Sequence, residues 1–251
     1  MVELQKLVSH CDELLDVDRF RDYAPNGLQI EGRARVSKIV TGVTANQALI
    51  DAAINAQADV LLVHHGFFWK GESPRITGLK RKRVSALMEN DMSLLAYHLP
   101  LDAHEQLGNN AQLAALLGVH VDGRFGRGGE DIAMHGHLER ELCVDECASL
   151  IKSALGRAPL HLAGESKKIK RLAWCSGAAQ DYIEQAYELG VQAFISGEVS
   201  ENTTHFARES GVHYFAAGHH ATERYGVQAL GRHLADVFDI DHQFVEIDNP
   251  V

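Results

Sequence analysis

Three short stretches of this 251-residue chain join apolar runs to histidines and carboxylates. "DVLLVHHG" (59–66) ends on His64 and His65. "YHLPLDAH" (97–104) places His98, Asp102 and His104 around a proline turn. "YFAAGHHATERYG" (214–226) leads into His219, His220 and Glu223. Imidazole nitrogen and carboxylate oxygen together suit zinc, iron, manganese, cobalt or nickel, and the absence of thiolate argues against a purely structural zinc site. If a helix starts near His219, then His219 and Glu223 lie four apart on one face and can converge on one ion. His220 would point about 100° away, beside the site or at the surface. The five candidates His64, His65, Asp102, His219 and Glu223 exceed what one catalytic zinc takes from protein, whereas two ions sharing a carboxylate would use them all. Each stretch also has a plainer reading. A histidine at a strand end is commonly a hydrogen-bonded structural residue, Asp102 could cap the following helix, and 219–223 could be a solvated loop.

The elements that must position these residues alternate in type. Strands are expected at 38–43, 59–65 and 93–98, and helices at 46–57, 79–90 and 109–118, which is α/β patterning. The candidate ligands follow strands, where open α/β sheets place their sites. The pattern then repeats: 38–66 can be laid over 170–198, which sets His65 opposite Glu198, and 96–102 over 217–223, which sets the His98/Asp102 pair on His219/Glu223. The expected fold is therefore two similar α/β halves with mixed sheets, produced by internal duplication. The halves are 1–124, with the His-His and H-x-x-x-D ligands, and 125–251, with the G-H-x-x-T-E ligands; the metal site lies between them. The junction is placed at "DGRFGRGGED" (122–131), where four glycines fall within ten residues.

Composition narrows the function. A formal net charge of −10 argues against a nucleic-acid-binding surface. The one basic run, Lys80–Arg83, continues into an amphipathic helix and reads as its solvated face. The N-terminal "MVELQKLVSHCDELL" lacks the layout of a signal peptide, and no apolar run approaches the roughly 18 residues of a membrane span. The four cysteines make no disulfide framework; Cys143 and Cys147 read as buried, reduced thiols on a helix, and the expected location is the cytoplasm. Neither a P-loop nor a dinucleotide fingerprint occurs. Trp69 reads as a core or interface aromatic rather than a base-stacking platform, Lys70 as a surface residue rather than a phosphate contact, and Cys175 as a thiol without a base.

"DYAPNGLQIEG" (22–32), "VHHGFFWKGE" (63–72), "HLPLDAH" (98–104), "SGEVSENTTH" (196–205) and "AGHHATER" (217–224) resemble the Nif-three-like family, whose members include GTP cyclohydrolase I type 2 homologues. The similarity is to its short bacterial form. It runs over nearly the whole chain and is weakest across 123–170. The resemblance implies that the two α/β halves are intertwined, and it implies a ring-shaped hexamer built from dimers and a dinuclear site with two divalent ions per chain. In that pattern Glu223 bridges the ions, His65 and Asp102 hold one, and His64 and His219 hold the other. It also implies that His98, Glu198 and His205 lie just outside the ligands or face the substrate. The expected function is metal-dependent hydrolysis of a nucleotide or a related phosphorylated or purine substrate. The alternative is a non-catalytic metal-binding scaffold or regulator. A ring around DNA would rest on the hexamer alone, and the net charge counts against it.

Overall fold

Branched and apolar residues at 38–44, 60–65 and 93–96 form three adjacent parallel strands in the computed structural model, which describes residues 1–127 and 130–251. They belong to a five-stranded sheet ordered Asp241–Phe244, Lys38–Thr44, Val60–His65, Ser93–Ala96, Gly27–Ile30. Only Gly27–Ile30 runs antiparallel, against Ser93–Ala96. The strand Val60–His65 is buried throughout except for half-buried His65, because a central parallel strand is covered on both faces. That is why its sequence reads as a continuous apolar run rather than an alternation.

The helix Gln47–Asn55 starts where the Asn46 side chain accepts the Leu49 N–H at 2.9 Å. Its Leu49 and Ile50 pack with Val40, Leu61 and Val63. A Cβ on Gly42 would lie 2.4 Å from Leu49 Cδ2, so glycine there lets helix and sheet close. The helix Gly78–Glu89 adds Val84 and Leu87 to the same core. It carries Lys80–Arg83 as expected, although Lys80 is an exception to the solvated face. Its ammonium lies 3.0 Å from Glu72 Oε1 and donates to the Ser73 carbonyl.

A second, six-stranded sheet is ordered Val119–Arg127, Glu130–Cys143, Lys168–Cys175, Ala193–Ser196, His213–Ala216, Leu160–Leu162. Lys168–Cys175, Ala193–Ser196 and His213–Ala216 are parallel neighbours. They match the parallel trio of the first sheet in order and direction, as the internal duplication predicts. Trp174 is fully buried among Leu113, Ile151, Leu172, Ile195 and Phe215, and its Nε1 donates to the Asn110 carbonyl at 2.9 Å.

The chain forms two compact units: Met1–Leu101 with Gly226–Asp248, and Asp102–Tyr225 with Asn249–Val251. The helix His219–Phe238 gives its first turns to the second unit and the remainder to the first. The chain thus passes between units after Leu101 and after Tyr225, and not at the glycine-rich stretch 122–131. Gly128 and Gly129 of that stretch are outside the described residues. On either side of them Val119–Arg127 and Glu130–Cys143 pair with each other inside the second unit. Gly126 allows close strand approach: a Cβ there would lie 2.2 Å from the Glu130 carbonyl oxygen. Composition alone does not separate that role from a linker.

All four cysteines are free. Cys147 is buried as expected, but Cys143 is exposed at the start of the helix Val144–Leu155, where its N–H donates to Glu146 Oε2 at 2.7 Å. Among the described residues no helix is long and apolar enough to cross a membrane.

Candidate functional site

The first unit gathers His64, His65 and His98. His64 and His65 end a strand, and His98 follows the next strand by two residues. One nitrogen from each of the three lies within 4.8 Å of the others. Adjacent strand residues ordinarily face opposite ways. Here the strand is ending, and the His64 and His65 ring centroids are 4.6 Å apart.

Each of these histidines is held through Nδ1. His64, fully buried, donates from Nδ1 to the Tyr97 carbonyl at 2.9 Å. Because a carbonyl only accepts, the neutral ring is fixed as the Nδ1–H tautomer, with its lone pair on Nε2. His65 Nδ1 is 3.1 Å from Thr44 Oγ1, on the neighbouring strand at the paired position. His98 Nδ1 is 2.7 Å from Asp22 Oδ1. Histidines that bind metal are typically oriented this way, by a carbonyl, hydroxyl or carboxylate on the other ring nitrogen.

Asp22 also accepts from the Leu99 N–H and from Asn26 Nδ2, both at 2.9 Å. Burial alone would raise its pKa, but the His98 contact and these donors outweigh it and bring the carboxyl down to about 2. The Asn26 side chain in turn accepts the His98 N–H at 2.7 Å. The loop leaving His65 is pinned as well: Gln29 accepts the Phe67 N–H at 2.7 Å and donates to the Phe67 carbonyl at 3.2 Å. A Cβ on Gly66 would lie 2.3 Å from Gln29 Oε1, so this turn requires glycine.

The second unit gathers carboxylates. Asp102 and Glu223 are 5% and 3% exposed, and one oxygen of each lies within 4.8 Å of the other. Asp102 Oδ1 accepts from Asn109 Nδ2 and Ser176 Oγ, both at 2.9 Å. Asp102 lies inside the short helix Leu99–Ala103, and Gly108 occupies the N-cap of the helix Asn109–Leu117, so Asp102 does not cap it. Glu223 Oε2 is 3.0 Å from His219 Nε2, the i,i+4 pair expected on the helix. His219 Nδ1 is 2.7 Å from Glu198 Oε1. Burial works to lower the His219 pKa, but Glu223 and then Glu198 raise it to about 9. The two carboxylates thus favour positive charge here, as a proton on the imidazole or as a metal ion.

A backbone cradle completes this group. Gly177, at φ +66°, would put a Cβ 2.1 Å from Glu223 Oε1 and 3.3 Å from His219 Nε2. Only glycine leaves that space. Cys175 is buried beside the group, and burial, then the charges of Asp102 and Glu223, push its thiol up, away from the thiolate form.

Other expected residues fall elsewhere. His104 Nδ1 accepts the Gln106 and Leu107 N–H groups and is a turn residue. His205 is exposed on the helix Glu201–Ser210 and joins none of the hydrogen bonds around His219. His220 is not at the surface; it is 8% exposed, and its N–H donates to the Val251 carbonyl. Reading the residues did not single out Asp22, Tyr97, Asn109, Ser176 or Gly177. Asp22 opens the stretch 22–32 and Ser176-Gly177 lie within 170–198, and a carboxylate or hydroxyl in a segment matched to the ligand motifs is the signal that could have found them.

The chain is similar to known proteins in sequence and in fold. The sequence model of Duf34/NIF3 (NGG1p interacting factor 3) matches residues 2–250. The "GTP cyclohydrolase 1 type 2 homolog" of Pseudomonas aeruginosa is 53% identical over 250 residues, covering 99% of each chain. That of Escherichia coli K12 is 51% identical over 249 residues, covering 99% of this chain and 98% of its own. The solved structure titled "protein ybgI, unknown function" superposes with a TM-score of 0.96 at 50% identity, covering all of both chains. TTHA1606 from Thermus thermophilus superposes with a TM-score of 0.91 at 29% identity, also over both whole chains.

Proposed function

This chain belongs to the Duf34/NIF3 family, and from that premise we propose that it binds two divalent metal ions and hydrolyses a nucleotide or a related phosphorylated or purine substrate. The residues that would hold the ions in this reading are His64, His65, Asp102, His219 and Glu223. The observation that carries it is the pair Asp102 and Glu223. Two carboxylates 5% and 3% exposed, with oxygens within 4.8 Å of each other, make an acidic pocket of the kind that holds a cation. The donor set fits a metal: each proposed histidine ligand is held at Nδ1 by Tyr97, Thr44 or Glu198, and Gly177 leaves open the space against Glu223 and His219.

Two divalent ions would supply Lewis acidity, polarising the scissile centre and acidifying water near neutral pH. The chain's own residues do the rest. Tyr97, Thr44 and Glu198 hold the imidazoles in register, and Ser176 with Asn109 fixes the Asp102 carboxylate. Asp22 orients His98 beside His64 and His65, where it can face the substrate. The relatives' name points to a guanine nucleotide, and this reading includes a toroidal hexamer, a trimer of dimers, as the working assembly.

The test is a screen of nucleotides and phosphoesters with each candidate ion restored to purified protein. Turnover that needs added metal and disappears in Glu223→Gln supports the hydrolase. Two tightly held ions with no turnover on any substrate would replace it with the metal-binding scaffold. Light scattering on the same preparation reads the assembly.

A further inference from the structure

The two tryptophans of this chain sit in different surroundings. Trp174 is fully buried, whereas Trp69 is half-buried, and its ring lies 5.0 Å from that of His98, edge to face, and 5.8 Å from that of His65. Tyr23, 61% exposed, approaches the same His98 ring at 6.5 Å. A core or interface tryptophan would not need two polar imidazoles as neighbours.

The loop carrying Trp69 is built to hold it there. Phe68 has φ +67°, a conformation that a bulky side chain rarely adopts. Glu72 Oε2 accepts the Phe68 and Trp69 N–H groups at 3.1 and 3.3 Å, and its Oε1 is 3.0 Å from Lys80 Nζ. Lys80 also lies 5.3 Å from the Phe68 ring centre. The indole Nε1 donates to the Gly66 carbonyl at 3.2 Å, and the Lys70 N–H donates to the Tyr23 carbonyl at 2.6 Å, which ties the two aromatic loops together. Strain concentrated beside an oriented aromatic is a mark of ligand recognition.

We infer that Trp69 is the specificity-determining residue for a planar heteroaromatic ring. The ring of the substrate stacks on the indole beside His65 and His98, and Glu72 with Lys80 positions the indole. This rests on the nucleotide reading of the site and deepens it: the ligand must carry a base, and a sugar phosphate alone is insufficient. An aromatic face accepts any flat base, and such stacking contributes about 1–3 kcal/mol per base.

The experiment is a titration of the full-length, metal-loaded protein with guanosine 5′-monophosphate and with ribose 5-phosphate, following tryptophan emission. Buried Trp174 contributes a constant background. The nucleotide is expected to quench emission and ribose 5-phosphate to leave it unchanged. Trp69→Leu should weaken nucleotide binding, measured by calorimetry, roughly 5- to 150-fold. Trp69→Phe should retain part of the affinity, and Glu72→Gln should weaken it by less than Trp69→Leu. Bound metal is measured on every sample and should be unchanged in the Trp69 variants. Metal-loaded wild-type protein that binds neither compound, or both equally, overturns the inference even if no variant folds. Wild-type protein that binds no metal counts against the metal reading instead.

Discussion

The Tyr97 main chain and side chain act on opposite sides of one contact: its carbonyl accepts the His64 Nδ1 proton at 2.9 Å, and its phenol donates to Asp12 Oδ1 at 2.8 Å. A fully buried tyrosine tied to a carboxylate cannot drift, so the imidazole it holds keeps one tautomer and one orientation. Precision at the strand end therefore comes from a residue that is not itself a ligand candidate.

Metal content and its pH dependence follow from the ligand types. Elemental analysis after gentle purification is expected to find close to two ions per chain, and a reproducible value at or below one would exclude the dinuclear reading. Histidine must be neutral to coordinate, and its unperturbed pKa is about 6.5. Protonation competes with the metal below that value at an imidazole of ordinary pKa, and already in the neutral range at His219, whose carboxylate neighbours raise its pKa to about 9, so release should be under way by about pH 6.5 and complete by about 5. A chromogenic chelator reads the release, with circular dichroism to confirm that the fold persists. Retention down to about pH 4 in folded protein would mean that the histidines are not principal ligands.

Gly177 and Gly190 share φ +66°, yet their surroundings differ. A Cβ on Gly177 would strike Glu223 Oε1 at 2.1 Å, whereas one on Gly190 meets nothing nearer than Arg171 Nη1 at 3.9 Å. Both alanine variants carry the backbone cost of a left-handed residue, on the order of 1 kcal/mol. Only Gly177→Ala should also displace the carboxylate, with at least a roughly tenfold loss of metal affinity, the lower range for disturbing a ligand's support. Equal metal content in the two variants would remove Gly177 from the site.

Glu198 and His205 lie in neighbouring motifs but differ in placement. Glu198 orients His219 through Nδ1, so Glu198→Gln should lower metal affinity about 10- to 100-fold. His205 is exposed, and His205→Ala should leave affinity unchanged. Competition with a calibrated chelator separates the two. A loss of metal in His205→Ala matching that in Glu198→Gln would restore His205 to the site.

Asp59 supplies a stability prediction away from the site. Its buried carboxylate accepts from the Ser37 N–H at 2.7 Å, Ser37 Oγ at 2.8 Å and the Lys38 N–H at 3.0 Å, and pairs with Arg33 at 3.0 Å. Burial opposes ionisation, but these contacts prevail and lower the pKa. A depressed folded-state pKa contributes stability that is present above the unfolded value, about 3.9, and is lost as pH falls through the folded value. Asp59→Asn should destabilise by about 1–3 kcal/mol at neutral pH and flatten the acid limb of denaturant unfolding. An unchanged midpoint at pH 7 would show that the network is dispensable.

The sequence alone determined much of this protein. Apolar runs followed by amphipathic ones specify Lys38–Thr44, Gln47–Asn55 and Val60–His65, because strand and helix periods are local properties. The i,i+4 rule placed His219 and Glu223 together for the same reason. Paired motifs revealed the family and the repeated parallel trio of strands. Only the tertiary structure decided which residues orient the candidate ligands. Asp22 reaches His98 across 76 positions and Ser176 reaches Asp102 across 74, and no periodicity encodes such distances. It also decided where the units divide, because the glycines at 123 and 126 serve strand approach, which the composition of a single segment does not distinguish from a flexible linker.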